Sequence, residues 1–254
     1  MREQVHAFLE SAIEAFELDG PIYEFGYSSA EDAAGAAESR NIFPLGDCFG
    51  DELDDGAKFD PLDELVKLPI PDDVARTVVC SGVLGHVFEP QRAVKEMIRI
   101  LVPGGILLVC EPVGGSQSER RDRYWGITPQ TMQWLLGGLK ATLVGWQGAE
   151  ELPHTVFGIA SKPPANERFL RGTGPFLDGF QQRLDEAAAH VGWWKRLKIR
   201  LTTRASSADG HRGRRDFYQA RFVVNLPVDR QLKHHLLQDG PPAAKTGTRI
   251  DLHH

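Results

Sequence analysis

The pattern of apolar and polar positions is clearest in residues 75–112, where it predicts a strand, a helix and a second strand. Thr77-Val78-Val79-Cys80 is a β-branched apolar run typical of a buried strand, and residues 106–110 (ILLVC) form a second continuous apolar run. Between them lie apolar residues at helical spacing, namely Ala93, Val94, Met97, Ile98 and Leu101. Pro103-Gly104-Gly105 is expected to end this helix. A strand, a crossover helix and a strand of these lengths form a βαβ unit, which joins parallel strands buried on both faces.

Shorter patterns on both sides of this unit predict further elements. Residues 4–18 place apolar side chains on one helical face, and Gly20-Pro21 ends that helix. Strands are predicted at 22–26 and 42–47, near 58–62, at 141–146 and 155–160, and at 220–225. Thr128 is a candidate N-cap and Pro129 a first helical residue, which predicts a helix that reaches Leu139. Strands that alternate with helices indicate an α/β fold.

Two stretches of the chain carry recognisable motifs. Residues 83–105 read VLGHV, then a proline, then AVKEMIRILVPGG, and residues 122–130 read DRYWGITPQ. Both motifs resemble those of class I S-adenosylmethionine (SAM)-dependent methyltransferases. Gly85 stands where that family usually has Glu. The resemblance covers about residues 5–162. It implies a doubly wound, mostly parallel Rossmann-like α/β sheet with SAM as the cofactor.

The resemblance also assigns residues to a cofactor site. The family has a glycine-rich turn after its first strand, because glycine lets the backbone approach the ligand. Here Glu24 and Gly26 keep the acid and the first glycine, whereas Tyr27-Ser28-Ser29 replaces the rest of the turn. The implied cofactor contacts are Glu24, Gly26, Asp47 at the ribose hydroxyls, Asp63 at the adenine edge, and Ser81 and Gly82 after the fourth strand.

The acceptor side of the site is assigned to the loop after that strand and to a later aromatic pair. His86 is the candidate general base or acceptor-orienting group; the alternative is that it packs against the edge of the sheet. Leu84, Tyr124 and Trp125 are the candidate walls of the acceptor pocket. Methyl transfer from SAM mainly requires alignment of the nucleophile and removal of its proton, so no sharp catalytic motif is expected.

Charge divides the chain into two parts. Residues 1–163 carry 13 Lys and Arg against 26 Asp and Glu (net −13), and residues 164–254 carry 16 against 9 (net +7), which sum to the net charge of −6. We therefore expect a methyltransferase domain over 1–163 and a basic α+β extension over 164–254 that serves as a lid, a dimerisation region or a substrate region. The extension includes a helical apolar stripe at 176–191 and a cluster of Trp and basic residues at 193–201.

Several partners are compatible with this basic extension. It could hold an anionic acceptor, contact an anionic membrane surface through residues 193–201, or pack on the acidic domain or on a second subunit of a homodimer. Of these three alternatives, packing on the acidic domain or on a second subunit is preferred. Nucleic acid is disfavoured because the basic cluster is small and the whole chain is acidic.

The remaining composition narrows the class of protein. Cys48, Cys80 and Cys110 are far apart and the nine histidines form no cluster with ligand spacing, so neither a metal site nor a disulfide framework is predicted. The sequence has no secretory signal and no apolar run as long as a membrane span. We expect a cytoplasmic protein.

Two functions follow from these observations. The first is a SAM-dependent methyltransferase acting on a small or conjugated acceptor, such as a sugar or a secondary metabolite. The second is a methyltransferase-like protein with a degenerate SAM site, serving as a scaffold or regulatory partner or binding another ligand. The intact strand–helix–strand unit favours the first, and the missing glycines and Gly85 favour the second.

Overall fold

A computed structural model describes residues 2–26, 65–113, 123–150, 153–190, 218–227 and 249–250. The helices within these ranges are α1 (Arg2–Phe16), α2 (Pro90–Ile100), α3 (Pro129–Leu136) and α4 (Glu167–His190). The strands are β1 (Ile22–Gly26), β2 (Ala75–Ser81), β3 (Leu101–Pro112), β4 (Ala141–Gly148), β5 (Pro153–Ser161), β6 (Ala220–Asn225) and β7 (Arg249–Ile250). The strands predicted at 42–47 and near 58–62, with Asp47 and Asp63, lie outside the described residues, as does segment 193–201.

The strands form one sheet in the order β1-β2-β3-β5-β4-β6-β7. β1, β2 and β3 are parallel, as the βαβ pattern predicts, and α2 is the crossover between β2 and β3. The other half is different: β5 is antiparallel to β3 and β4, and β4 is antiparallel to β6. β4 and β5 are joined by only a few residues, and so short a connection can join only antiparallel strands. The predicted α/β doubly wound fold is confirmed, and the described sheet is mixed in strand direction.

Helices cover both faces of the sheet. On one face, α2 and α3 bury Met97, Ile100 and Met132 against alternate residues of the strands, such as Val78 and Val109. On the other face, α1 and α4 cover the residues in between, among them Val79, Leu108 and Phe157. Because side chains alternate between the faces of a strand, continuous apolar runs such as that of β3 are required here.

The start of β3 departs from the predicted boundary. α2 ends at Ile100, and Leu101 is already extended, before the Pro-Gly-Gly that was expected to end the helix. Leu101 pairs with Ala75 and Ile106 with Thr77, so residues 102–105 form a bulge, with Gly104 at a φ of +79°. Lys162 secures this bulge: its backbone N–H donates to the Gly105 carbonyl (2.9 Å) and its Nζ to that of Leu101 (2.6 Å). Gly104 and Gly105 therefore allow β3 to bend at the bulge and do not end the helix.

α1 and α4 cross closely on their face of the sheet, although they come from opposite ends of the described chain. Phe8 and Phe16 of α1 stack on or pack edge-to-face with rings of β5 and α4, namely Phe157, Phe169, Phe176 and Phe180. Arg183 of α4 adds an ion pair with Glu14 (2.6 Å). This core therefore contains residues from both sides of the boundary predicted at 163/164, and β6 joins the same sheet.

None of the described helices combines the length and apolar character needed to cross a membrane.

Two glycines of α4 test the close helix crossing. A Cβ on Gly172 would overlap the carbonyl oxygen of Ala15 and lie 2.7 Å from the Phe16 ring, whereas the nearest described atom to a Cβ on Gly179 is Arg183 Nη1, at an ordinary contact distance of 3.5 Å. Alanine stabilises a helix over glycine by about 0.5–1 kcal/mol where space allows. We expect Gly172→Ala to lower the free energy of unfolding by about 1–3 kcal/mol and Gly179→Ala to raise it slightly, as measured by urea denaturation. Equal effects of the two substitutions would contradict the crossing.

Candidate functional site

The carboxyl ends of the three parallel strands lie together at one edge of the sheet. Gly26 is the register partner of Ser81, and Ser81 is the partner of Cys110. Neighbouring strands lie about 4.8 Å apart, so Gly26 and Ser81 are adjacent. Ligands of open α/β sheets bind in the crevice outside these carboxyl ends. The predicted cofactor residues Gly26, Ser81 and Gly82 are therefore brought to one place.

Gly26 ends β1 with open space beside it. No described atom lies within 4 Å of the position that a Cβ on Gly26 would take. Glu24 is two residues earlier, and its side chain therefore leaves the same face of the sheet; it is half-buried and pairs in register with Val79. An acid and an open glycine thus stand at the end of the first strand, as the resemblance implied.

Gly82 turns the chain from β2 into the loop 83–87, here called the β2 loop. Its φ of +68° belongs to the left-handed region that favours glycine. Its N–H donates to the carbonyl of Cys110 at 2.8 Å, which continues the β2–β3 pairing for one more residue. The β2 loop therefore begins directly above the end of β3.

Glu111 is the group around which the β2 loop is built. Its carboxylate is fully buried, and Oε1 accepts the N–H of Leu84 at 2.8 Å. The backbone N–H groups of Val83 and Gly85 also donate to this carboxylate. Successive N–H groups that converge on one anion form a nest that holds a charged oxygen in place of water. The single acid of β3 thus fixes three consecutive residues of the loop.

Burial raises the pKa of Glu111 to about 7, because a carboxylate loses hydration inside the protein. The N–H of Leu84, the positive charge of Arg123 and the other two N–H groups act in the opposite direction. Arg123 Nη2 lies 3.4 Å from Oε2, and the Arg123 side chain is itself only 13% exposed. Near neutral pH the group therefore exists in both its protonated and its ionised form.

Residues 123–128, here called the α3 leader, lie against the β2 loop. The N–H groups of Tyr124 and Trp125 both donate to the carbonyl of Gly85, at 2.8 and 3.1 Å. Trp125 Nε1 donates to the carbonyl of Phe88 at 3.2 Å, and the Phe88 and Tyr124 rings meet edge-to-face. Thr128 then caps α3, as predicted, by accepting the N–H of Thr131.

Three aromatic side chains of this arrangement remain exposed. Phe88 is 70% exposed, Tyr124 63% and Trp125 45%. A cluster of exposed rings is a common feature of binding surfaces. The sequence suggested Tyr124 and Trp125, and the structure adds Phe88. We call these three residues the aromatic rim.

Gly85 leaves room for the α3 leader. A Cβ at this position would lie 3.0 Å from Arg123 Nε and 3.1 Å from the carbonyl oxygen of Trp125. A larger residue at this position would require Arg123 or the Trp125 backbone to shift, so glycine here allows the α3 leader to pack closely on the β2 loop.

Leu84 and His86, also in the β2 loop, are both buried. Leu84 has no exposed surface and His86 is 5% exposed. The His86 N–H donates to the Val83 carbonyl at 2.9 Å, which closes the turn of the loop. The catalytic role of His86 and the pocket role of Leu84 stay predictions.

Sequence reasoning missed Glu111, Arg123 and Phe88. The signal for Glu111 was an acid at the end of an uninterrupted apolar strand, where a charge is costly unless it is satisfied. Arg123 and Phe88 carried no such signal, because their roles depend on how two loops meet.

Comparison with known proteins confirms the predicted family resemblance over part of the chain. Residues 60–109 match the family model described as "Methyltransferase domain", a range that includes β2, the β2 loop, α2 and most of β3. This match implies SAM as the cofactor. A search of curated proteins found no match.

Solved structures to which this chain is similar include several methyltransferases. A SAM-dependent methyltransferase from Archaeoglobus fulgidus is 15% identical, covering 64% of this chain and 95% of that one, with a TM-score of 0.44. One from Thermotoga maritima is 17% identical, covering 63% and 91%, with a TM-score of 0.37. The N-methyltransferase NodS from Bradyrhizobium japonicum, solved with S-adenosylhomocysteine (SAH), is 17% identical, covering 39% and 51%, with a TM-score of 0.30.

The raised pKa of Glu111 predicts a specific dependence of stability on pH. The unfolded carboxyl ionises near 4.5, while the folded one keeps its proton up to about 7. Its contribution to stability is therefore complete below pH 4.5 and is lost as the pH rises through 7. Between about pH 4 and pH 8 we expect the free energy of unfolding of the wild type to fall by up to about 3 kcal/mol relative to that of Glu111→Gln, measured by urea denaturation.

Glu96 supplies the matched control for this measurement. It also accepts a backbone N–H, that of Leu68 at 3.0 Å, and pairs with an arginine, Arg99. These contacts lower the pKa of Glu96, the hydrogen bond from Arg99 most of all, so its contribution is lost only toward acid pH. The difference between the wild type and Glu96→Gln should stay constant from pH 6 to pH 8. A constant difference for Glu111→Gln as well would refute the assignment.

Proposed function

We propose that this chain, whose residues 60–109 match a methyltransferase domain, is a SAM-dependent methyltransferase acting on a small or conjugated acceptor. The observation that carries the proposal is the strand edge at which Gly26, Ser81 and Gly82 meet beside the β2 loop. The matched range ends in β3 and includes Ser81, Gly82 and the whole β2 loop, so the family match covers this part of the candidate site, while Gly26 and the α3 leader lie outside it.

The residues at this edge are compatible with SAM. No described atom lies where any other residue at position 26 would place a Cβ, which allows close approach of a ligand to the backbone. The hydroxyl of Ser81, half-buried beside Gly26, can exchange hydrogen bonds with polar groups of a nucleoside or amino acid. Asp47 and Asp63 would complete the site at the ribose and adenine, as the sequence resemblance implied.

The protein's own residues would mainly bind and orient. Bound SAM supplies an activated methyl group. The strand edge would hold the cofactor, and the β2 loop and α3 leader would hold the acceptor in line with it. His86 would accept the acceptor's proton if the side chain becomes accessible when the acceptor binds; its burial also excludes water from the loop.

The aromatic rim indicates which kind of acceptor could bind beside the candidate site. Phe88, Tyr124 and Trp125 present exposed ring faces, and aromatic rings bind the apolar faces of sugars and of planar metabolites alike. We propose an acceptor with at least one apolar or planar face. A sugar or a secondary metabolite satisfies this condition.

The second candidate is a methyltransferase-like protein that does not transfer methyl groups. One structural observation favours it: the α3 leader fills the space above Gly85 and so closes one side of the β2 loop. The reduced glycine turn after Gly26 favours it too. Such a protein would keep the fold and bind a partner or another ligand at the same edge.

Titration calorimetry with SAM and SAH tests the cofactor. We expect micromolar binding of both by the wild-type protein and loss of binding in Asp47→Ala. Gly26→Val should weaken binding at least tenfold, because its side chain would occupy the open space at the end of β1. Gly138→Val is the control, since no described atom lies within 4 Å of its Cβ position and it sits in the turn after α3.

Each result distinguishes the two candidates. No binding of either ligand up to about 1 mM, weaker than roughly −4 kcal/mol, would favour the non-catalytic protein. Binding that Gly26→Val and Gly138→Val weaken equally would place the cofactor elsewhere. Once binding is established, methyl transfer can be screened with radiolabelled SAM against sugar and planar acceptors.

A further inference from the structure

We propose that Glu111 is a positioning residue that joins the β2 loop and the α3 leader into one unit at the mouth of the candidate site. The proposal rests on the proposed function, because the unit matters for catalysis only if the strand edge holds SAM. It rests on contacts of Glu111 with both segments and on contacts of the two segments with each other.

The first set of contacts connects Glu111 to the β2 loop. Oε1 accepts the Leu84 N–H at 2.8 Å, and the N–H groups of Val83 and Gly85 converge on the same carboxylate. A backbone N–H is kept in every substitution except one to proline, whereas the carboxylate is lost when Glu111 is replaced by Gln. The loop that carries His86 therefore depends on one side chain that belongs to another strand.

The second set connects Glu111 to the α3 leader. Arg123 Nη2 lies 3.4 Å from Oε2 in a largely buried ion pair, and Arg123 Nε is buried with no hydrogen-bond partner among the described residues. A buried guanidinium needs a counter-charge, so removal of the carboxylate leaves Arg123 unpaired. The leader then loses the charge that draws it toward β3.

The two segments are also bonded directly to each other. The Gly85 carbonyl accepts the N–H groups of Tyr124 and Trp125, while the Gly85 N–H donates to Glu111. The two peptide groups of Gly85 thus link the Glu111 carboxylate to the backbone of Tyr124 and Trp125 through hydrogen bonds. A change at Glu111 is expected to loosen both segments together.

Amide hydrogen exchange without ligand measures this directly. In Glu111→Gln at pH 8, we expect exchange in peptides covering 82–88 and 123–128 to become at least tenfold faster, with no comparable change in residues 65–74. Glu96→Gln is the control and should leave both site segments within twofold of the wild type. Unchanged exchange, or faster exchange in one segment only, would overturn the proposal.

A second pair of variants keeps the test decisive if Glu111→Gln does not fold. Arg123→Met removes the counter-charge and Arg123→Lys keeps it. We expect Arg123→Met to speed exchange in both segments and Arg123→Lys to restore most of the protection. Equal exchange rates in Arg123→Met and Arg123→Lys would show that the charge pair does not position the loops.

The pH profile of SAH affinity provides a readout that a purely structural role would not change. The ionised carboxylate is the form that accepts the Leu84 N–H and pairs with Arg123, so it is the positioning form even though its burial lowers global stability. The affinity of the wild type should therefore fall at least fivefold from pH 8 to pH 5.5, around the pKa of about 7. Glu111→Gln should bind weakly and show a flat profile. A wild-type profile that is flat, or one that Glu111→Gln retains, would contradict the role.

Among the described residues, four other charged or titratable side chains lie near Glu111, namely Arg123, Cys80, Cys110 and His86. Arg123 is the charged group paired with the carboxylate. Burial, followed by the charge of Glu111, raises the pKa of the Cys80 and Cys110 thiols, which therefore stay neutral. His86 also lies in the β2 loop, so the profile is repeated in His86→Gln and should persist there. Absence of SAH binding by the wild type would refute the proposed function, and the exchange data would still decide the role of Glu111.

Discussion

Burial of β3 on both faces is the constraint on which the rest of the structure depends. The strand pairs in parallel with β2 and antiparallel with β5, and its residues from Gly105 to Glu111 are buried. Helices must therefore cover both faces, which requires α2 and α3 on one side and α1 and α4 on the other. The same strand carries a charge into the interior at its carboxyl end, and the loops beyond the sheet are arranged to satisfy it.

The fold was largely predictable because the signals for β2, α2 and β3 are local. Apolar runs and helical spacing are properties of consecutive residues, and Thr128-Pro129 marks a helix start by its own chemistry. The bulge at 102–105 was not predictable, since it arises from the register of β3 against β2 and from Lys162, which lies far along the chain. Tertiary contacts decided where the helix ended and the strand began.

The candidate site was predictable only in part. Gly26, Ser81 and Gly82 follow from strand ends, which a pattern can locate. The Glu111 carboxylate and the Leu84 N–H are 27 residues apart, and Arg123 is a further 12 residues beyond Glu111, so no local pattern connects them. Gly85 was visible as a departure from a family pattern, but its meaning required the position of the α3 leader.

The crossing of α1 and α4 has a consequence for the order in which the protein can mature on the ribosome. Ser11 and Arg183, which touch across this crossing, are 172 residues apart. The rings that cover Phe8 and Phe16 come from β5 and α4, so they emerge long after α1 has been synthesised. Until then the nascent chain exposes an amphipathic helix with unpaired phenylalanines, the kind of surface that chaperones bind and that promotes aggregation. Completion of this core waits for the second half of the chain, even though the parallel strands of the site are made earlier.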